Sequence, residues 1–172
     1  LTLEDSRVEG DVDNHGTLSF AGRNVVTGEL GNAGEISLLA GGQLDLLGNL
    51  LLGELAGEAG TVDVDGAGSR LEVGGEFRVG VLGTGTFNLT NGAVLEVDRN
   101  GEIAAQTGSV GRVLLQDTGT TWTNTLDVAV GLRGEGELEI RDGATLVSKL
   151  NGLVGHQASA SGRALVTGAG ST

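Results

Sequence analysis

The sequence predicts an all-β chain folded as a right-handed parallel β-helix, in which short strands form coils that stack along one axis. Three observations lead to this fold class. Segments repeat at a spacing of 51 residues, glycines followed by alternating polar and apolar residues recur at about half that spacing, and no long stretch has the 3.6-residue period of a helix. Internal repetition of this kind indicates stacked supersecondary units and not one globular core.

The 51-residue repeat is visible in segments that begin at Gly60, Gly111 and Gly162, with the sequences GTVDVDGAGSRL, GRVLLQDTGTTW and GRALVTGAGST. Leu71 of the first segment falls on Trp122 of the second. We therefore interpret residues 1–172 as a single β-helical domain. Its parts are irregular N-terminal coils over 1–59, repeat units over 60–110 and 111–161, and the start of a third unit over 162–172. We expect further sequence to continue the stack.

The first strand of each coil follows an anchor glycine. The steps between the anchors Gly34, Gly60, Gly85, Gly111, Gly136 and Gly162 alternate between a longer and a shorter one, and a short coil begins at Gly16. The second and fourth residues after these glycines are all apolar, which is typical of half-buried strands. They are Leu18, Phe20, Ile36, Leu38, Val62, Val64, Phe87, Leu89, Val113, Leu115, Leu138, Ile140, Ala164 and Val166.

Each coil has room for two further strands, so we predict about seven coils of roughly 25 residues with three strands each. The second strand is indicated by Leu71 and Val73, Leu95 and Val97, or Trp122. The third is indicated by Phe77 and Val79, by Ile103, or by Leu126, Val128 and Val130. Glycine at 33 of 172 positions opposes a helical solenoid, because interior glycines weaken helices by about 1 kcal/mol each.

Composition excludes several functional classes. The net charge of −13 opposes nucleic-acid binding, which needs Lys and Arg to neutralise phosphates. The chain has no cysteine for disulfides or thiolate metal sites, and no apolar run long enough to insert into a membrane. We expect no bound cofactor.

The repeats resemble those of type V secretion autotransporter passenger domains. The resemblance lies in residues 66–97 and 117–148, with a Gly-Ala-Gly-Ser-Thr-Trp-like turn, a Val-Gly pair, a Gly-Thr-Gly-Thr strand start and an Asn-Gly-Gly-like turn. It implies a β-helical stalk on the surface of a Gram-negative cell, exported through a C-terminal β-barrel. Many such passengers are adhesins that bind host or extracellular-matrix surfaces or associate with one another.

Departures from the repeat are the surface candidates for binding. Facing outward on successive first strands we expect Ser19, Ser37, Asp63, Asn88, Leu114, Glu139 and Leu165, a column in which only Leu114 and Leu165 are apolar. His156 falls where Ala105 stands one repeat earlier. A neighbouring outward column, Arg112, Glu137 and Arg163, would form a ladder of opposite charges between coils.

Two further features have alternative interpretations. Trp122 could stack on a glycan, but its equivalence to Leu71 favours a buried position with the indole N–H bonded to a partner. A column of Asp65, Asn91, Asp117 and Asp142 would suit calcium, although tight turns demand the same residues. Turn chemistry is the favoured interpretation.

Two functions remain. The first is a non-enzymatic adhesin or structural stalk. The second is a carbohydrate-active β-helix enzyme, which needs carboxylates converging in a groove. Asp63 and Glu139 share an outward column but lie three coils apart, and the chain has no nucleophile motif or phosphate loop. The sequence therefore favours the adhesin or stalk and leaves its ligand open.

Overall fold

A computed structural model describes residues 1–38 and 41–172 of the chain. These residues form 22 parallel β-strands and no α-helix, so none of their segments is a helix long and apolar enough to cross a membrane. Each coil contributes one strand to each of three sheets, called A, B and C in the order in which the chain visits them. The predicted parallel β-solenoid with three strands per coil is confirmed.

The bounds of the strands are as follows. Sheet A contains β1 (Thr2–Glu4), β4 (Thr17–Ala21), β7 (Glu35–Leu38), β10 (Ala59–Asp65), β13 (Thr84–Thr90), β16 (Val110–Gln116), β19 (Glu135–Arg141) and β22 (Ser161–Thr167). Sheet B contains β2 (Arg7–Val8), β5 (Arg23–Val26), β8 (Gln43–Leu46), β11 (Arg70–Val73), β14 (Val94–Val97), β17 (Thr121–Asn124) and β20 (Thr145–Ser148). Sheet C contains β3 (Val12–Asn14), β6 (Leu30–Asn32), β9 (Leu50–Leu52), β12 (Phe77–Val79), β15 (Gly101–Ile103), β18 (Val128–Val130) and β21 (Gly152–Val154).

The strand register reproduces the predicted anchors, because the anchor glycines from Gly60 to Gly162 pair with one another across sheet A. The prediction of seven coils of about 25 residues is wrong. Five coils have the predicted length, beginning with the pairing of Glu35 with Thr61. The two coils before Glu35 are much shorter, since Thr2 pairs with Ser19 and Thr17 pairs with Glu35.

The alternation between longer and shorter steps arises in the turns. The first turn, between sheets A and B, is a four-residue turn at 66–69 and 117–120, and is one residue shorter at 91–93 and 142–144. The third turn, between sheet C and the next sheet A strand, is short at 80–83 and 131–134. It is about two residues longer at 53–58, 104–109 and 155–160. In a shorter coil the first turn is one residue longer and the third turn is two residues shorter than in a longer coil, so the whole coil is one residue shorter.

The core lies between the three sheets and runs the length of the stack. Twelve of the fourteen predicted inward positions on the first strands are buried. The exceptions are Ala164 and Val166, which are exposed because their strand, β22, is the last strand of sheet A in the described part of the chain. Leu126 also departs from prediction, since the third strand begins at Val128 and Leu126 lies in the preceding turn.

Core volume is exchanged between positions that are one 51-residue repeat apart. Leu50 and Leu71 correspond, one 51-residue repeat later, to Gly101 and Trp122. A Cβ atom on Gly101 would lie 2.6 Å from Trp122 Cζ2, so the glycine provides the space that the indole ring fills. The ring makes an edge-to-face contact with Phe77 at a centroid distance of 5.4 Å. A larger residue at one position is matched by a smaller one beside it, as close packing requires.

Trp122 is fully buried, which confirms the predicted core position. The expectation that its indole N–H is bonded is wrong, because Nε1 has no hydrogen-bond partner among the described residues. Two residues along the same strand, the buried Oδ1 of Asn124 also lacks a partner. The indole ring is therefore held by packing in an apolar environment.

Candidate functional site

The predicted column on the outer face of sheet A is present, and Leu114 pairs with Asn88 on one side and with Glu139 on the other. Leu165 is the next residue along, so Glu139 separates the two leucines. Both leucines are half-buried, in contrast to the expected exposed positions. Because Glu139 lies between them, the two leucines do not form a continuous apolar patch.

His156 lies on the third turn after β21 and is exposed. Its backbone N–H donates to Gly131 O at 3.2 Å, as the N–H of Ala105 donates to Gly80 O at 2.9 Å, which confirms the predicted equivalence. Since Leu114 and Leu165 are on sheet A and His156 is on a turn, the three candidates do not share one face. The structure does not assemble them into a single site.

The predicted charge ladder forms in part. Arg112, Glu137 and Arg163 stack in register on sheet A, and Glu137 forms an ion pair with Arg163. Arg112 has no ion pair within the described part of the chain. Other coil-to-coil pairs join Arg70 to Glu96 at 2.7 Å and Arg78 to Glu102 at 2.8 Å. Ion pairs at a protein surface stabilise a sheet only modestly, so these pairs contribute to coil stacking.

The acidic column at the first turn differs from the prediction by one position. Asp65 pairs with Thr90 and so precedes the column, whereas Asn91, Asp117 and Asp142 occupy equivalent turn positions with φ of 57°, 78° and 56°. Left-handed backbone at Asn and Asp is typical of tight turns, which supports the turn interpretation. No group of three His, Cys, Asp or Glu residues suited to a metal ion occurs in residues 1–38 and 41–172.

The four-residue first turns are closed by a hydroxyl clamp that was not recognised in the sequence. The Ser or Thr at the last position of the turn forms it. Ser69 Oγ donates to Asp65 O at 2.6 Å and accepts from Gly41 N at 3.1 Å. Thr120 makes the equivalent bonds to Gln116 O and Gly92 N, at 2.6 and 2.9 Å. Each hydroxyl closes its own turn and ties it to the preceding coil, so Ser and Thr serve a structural function there.

A second unrecognised feature is a polar ladder at the second turn, between sheets B and C. In several coils a side-chain oxygen accepts the backbone N–H of the equivalent residue in the next coil, with donor–acceptor distances between 2.7 and 3.3 Å. The sequence signal for this ladder is an acid or amide directly before each strand of sheet C. The residues are Asp11, Glu29, Asn49, Glu76, Asn100, Asp127 and Asn151.

Carboxylates converge on the outer face of the N-terminal part of sheet C. Because Gly31 has no side chain, Glu54 Oε2 and Asp13 Oδ1 come within 3.4 and 3.5 Å of the position that its Cβ would occupy. Burial, followed by the negative charges of Glu29, Asp13 and Glu58, raises the pKa of the Glu54 carboxyl. In contrast, hydrogen bonds from the Thr90 hydroxyl and the Asn91 amide lower the pKa of Asp65.

The charge is distributed unevenly along the rod. Residues 1–76 contain 14 of the 23 acidic residues and three of the ten basic ones, a net charge of −11, whereas residues 77–172 have a net charge of −2. Residues 143–172 contain Lys149 and Arg163 but no acidic residue. An anionic ligand is therefore repelled less by the C-terminal half of the rod than by the N-terminal half.

The edge formed by the third turns is the least regular surface of the coils. Long turns at 104–109 and 155–160 project on either side of the short turn at 131–134. They are two coils apart, or roughly 9.6 Å by the spacing of strands. The space between them, named the third-turn groove, has a volume of about 280 Å³. It is lined by Thr107, Gly108, Ser109, Val110, Arg133, Gly134, Glu135, Ser159 and Ser161.

Comparison with known protein families, with curated proteins and with solved structures finds no match to this chain. Inference about function therefore depends on the geometry described above and on the resemblance of the repeats.

Proposed function

We propose that this chain is a passenger segment of a type V secretion autotransporter. In this proposal it is a right-handed β-helix displayed outside a Gram-negative cell, where it acts as an adhesin or a structural stalk and not as an enzyme. Its partner is a host or extracellular-matrix surface, or another copy of the same protein. A C-terminal β-barrel would anchor it.

The observation that supports this proposal best is the pairing of outward side chains from coil to coil. On sheet A, Asn88 Nδ2 donates to Asp63 Oδ1 at 2.7 Å, and Ser37 Oγ donates to Ser19 Oγ at 2.9 Å. Side chains held by their neighbours in this way build a stiff rod with long regular faces. Such faces suit projection from a cell and binding spread over several coils.

The arrangement of carboxylates on sheet A supports the same conclusion. Asp63 and Glu139 are three strands apart in the observed register, roughly 14 Å, whereas glycosidases of either stereochemistry hold their two carboxyl groups closer together. This spacing argues against Asp63 and Glu139 as a catalytic pair.

Display of the chain on a non-adherent Gram-negative host tests the proposal. The chain would be fused to an autotransporter barrel, and the control cells would carry the same fusion without residues 1–172. We expect faster sedimentation of the displaying cells, or greater attachment to surfaces coated with matrix proteins or host-cell glycans. Equal sedimentation and equal attachment of the two strains, with display verified by antibody labelling, would contradict an adhesive function.

A further inference from the structure

The third-turn groove presents several polar side chains to solvent. Thr107, Arg133, Glu135, Ser159 and Ser161 are all exposed in it. By contrast, the clamp hydroxyls of Ser69 and Thr120 are buried and bonded to backbone. Polar groups directed into a concave space, and not used to close a turn, are a usual feature of binding sites.

The chemistry of the lining indicates the class of ligand. Three exposed hydroxyls, a guanidinium and a carboxylate face the groove, and Val110 is its only large apolar residue. The cores of protein–protein interfaces are depleted of charge and rich in aromatic side chains, so a folded protein is a poor match for this surface. A ligand with many hydroxyl groups can pair with these donors and acceptors.

Arg133 occupies a favourable position for such a ligand. Its Nη1 donates to Gln106 Oε1 on the adjacent long turn at 3.0 Å, so the guanidinium is held at the edge of the groove while its other N–H groups are available. The groove also lies in the half of the rod with a net charge of −2, where an acidic sugar meets little repulsion.

We propose that the third-turn groove binds a linear glycan, with Arg133 as its main polar contact. The proposal rests on the proposed adhesive function and names the ligand class for it. Glu135 and the hydroxyls of Thr107, Ser159 and Ser161 complete the hydrogen bonding. A single open groove binds weakly, so attachment of a cell would depend on many displayed copies acting together.

The preceding repeat unit provides an internal comparison. Leu82 occupies the position of Arg133 in the short turn at 80–83, and it is 44% exposed. The long turn before it contains Leu55, which is 58% exposed, whereas the corresponding turn 51 residues later has Gln106. Equivalent backbone segments therefore present an apolar edge around Leu82 and a polar groove around Arg133. The two edges differ in their side chains.

Binding of the purified chain to immobilised oligosaccharides tests the proposal. The probes would be linear neutral oligosaccharides of hexose and N-acetylhexosamine, and linear acidic oligosaccharides of uronic acid. We expect Arg133→Leu, which copies Leu82, to weaken binding at least about tenfold, since hydrogen bonds to a charged group are among the stronger ones. The matched control is Arg112→Leu, which removes one exposed arginine from sheet A, outside the groove, and should leave binding unchanged.

Three outcomes would overturn the proposal: no binding to either probe set, retention of full binding by Arg133→Leu, or equal losses in the two arginine variants, which would indicate a general charge effect. Circular dichroism of each variant checks that the fold is intact. The result is separable from the cell-display test. Adhesion that survives Arg133→Leu would sustain the adhesive function without this site. Glycan binding by the purified chain without adhesion of the displaying cells would sustain this binding site without the adhesive function.

Discussion

The two short coils before Glu35 and the five longer coils after it are held together by different interactions. In the short coils, buried amides connect the coils: Asn14 Nδ2 donates to Asn32 Oδ1 at 2.7 Å, and Asn32 Nδ2 donates to Thr61 O at 2.9 Å. In the longer coils the equivalent column begins with Leu52, and Phe77 packs edge-to-face against Phe87 and Trp122.

The difference shows how coil length determines what the core can contain. A short coil encloses little space, so directional hydrogen bonds supply part of the cohesion that burial supplies elsewhere. A longer coil encloses enough volume for a tryptophan, provided that a neighbouring position is reduced to glycine. The predictions below test these two modes of stabilisation.

The largest effect is expected in the core of the longer coils. Gly101→Leu forces a side chain into the space of Trp122 and should destabilise the fold by about 3 kcal/mol or more. Trp122→Leu leaves a cavity over Gly101 and should cost up to about 3 kcal/mol. The double variant copies Leu50 and Leu71, so it should lose less than the sum of the single variants. Urea unfolding followed by circular dichroism measures all three, and simple additivity would contradict the proposed volume exchange.

A somewhat smaller effect is expected in the amide ladder of the short coils. Asn32→Ala removes the side-chain hydrogen bonds to Thr61 O, Gly34 O and the Asn14 amide in a buried position, which should cost about 2–4 kcal/mol. Asn88→Ala, which removes a half-buried amide bonded to Asp63 on sheet A, is the control and should cost under about 1 kcal/mol. Similar unfolding midpoints for the two variants would mean that the buried ladder has no special importance.

The hydroxyl clamp should contribute less, and its contribution should depend on position in the stack. Ser69→Ala removes a fully buried clamp and should destabilise the chain by about 1–3 kcal/mol. Ser171→Ala removes the same pair of bonds, to Thr167 O and Gly143 N, at the end of the stack, where water can replace them. Thermal unfolding of both variants tests this difference, and equal losses would show that burial is not what gives the clamp its value.

The smallest effect concerns the pH dependence of the acidic short coils. The folded-state pKa of Glu54 is raised, so the folded chain binds a proton more readily than the unfolded chain and loses stability as pH rises through that pKa. Glu54→Gln should therefore be more stable than the native chain at neutral pH, by at most about 0.5 kcal/mol, and the difference should vanish in acid. Glu135→Gln, in the C-terminal half, is the control. A difference for Glu54→Gln that grows on acidification would contradict the assigned direction.

Much of the fold was predictable because strand alternation and glycine spacing are local properties of the chain. The inward residues of the first strands, the pairing of the anchor glycines and the equivalence of His156 with Ala105 all follow from counting along the sequence. The count of coils of about 25 residues was wrong because a short coil contains the same alternating pattern as a longer one. Periodicity alone does not report how much turn lies between strands.

The surface was less predictable, for a different physical reason. Register places Leu114 next to Glu139, but it does not show how far neighbouring side chains cover the leucine. The third-turn groove depends on the heights of turns that are two coils apart, and Arg133 becomes part of it only because long turns stand on both sides. The ladder of acids and amides before the third strands was visible in the sequence, but its hydrogen bonds were not.

The order of the amino acids was sufficient to determine the repeat, the strand period and the parallel β-solenoid, because each depends on regular alternation and on glycines at fixed spacing. Tertiary packing decided what the pattern left open: the orphaned indole N–H of Trp122, the exchange of Leu50 for Gly101 beside it, the raised pKa of Glu54 and the groove at Arg133. Each of these features depends on the distances between side chains of nearby coils. Those distances depend on how coils of unequal length stack.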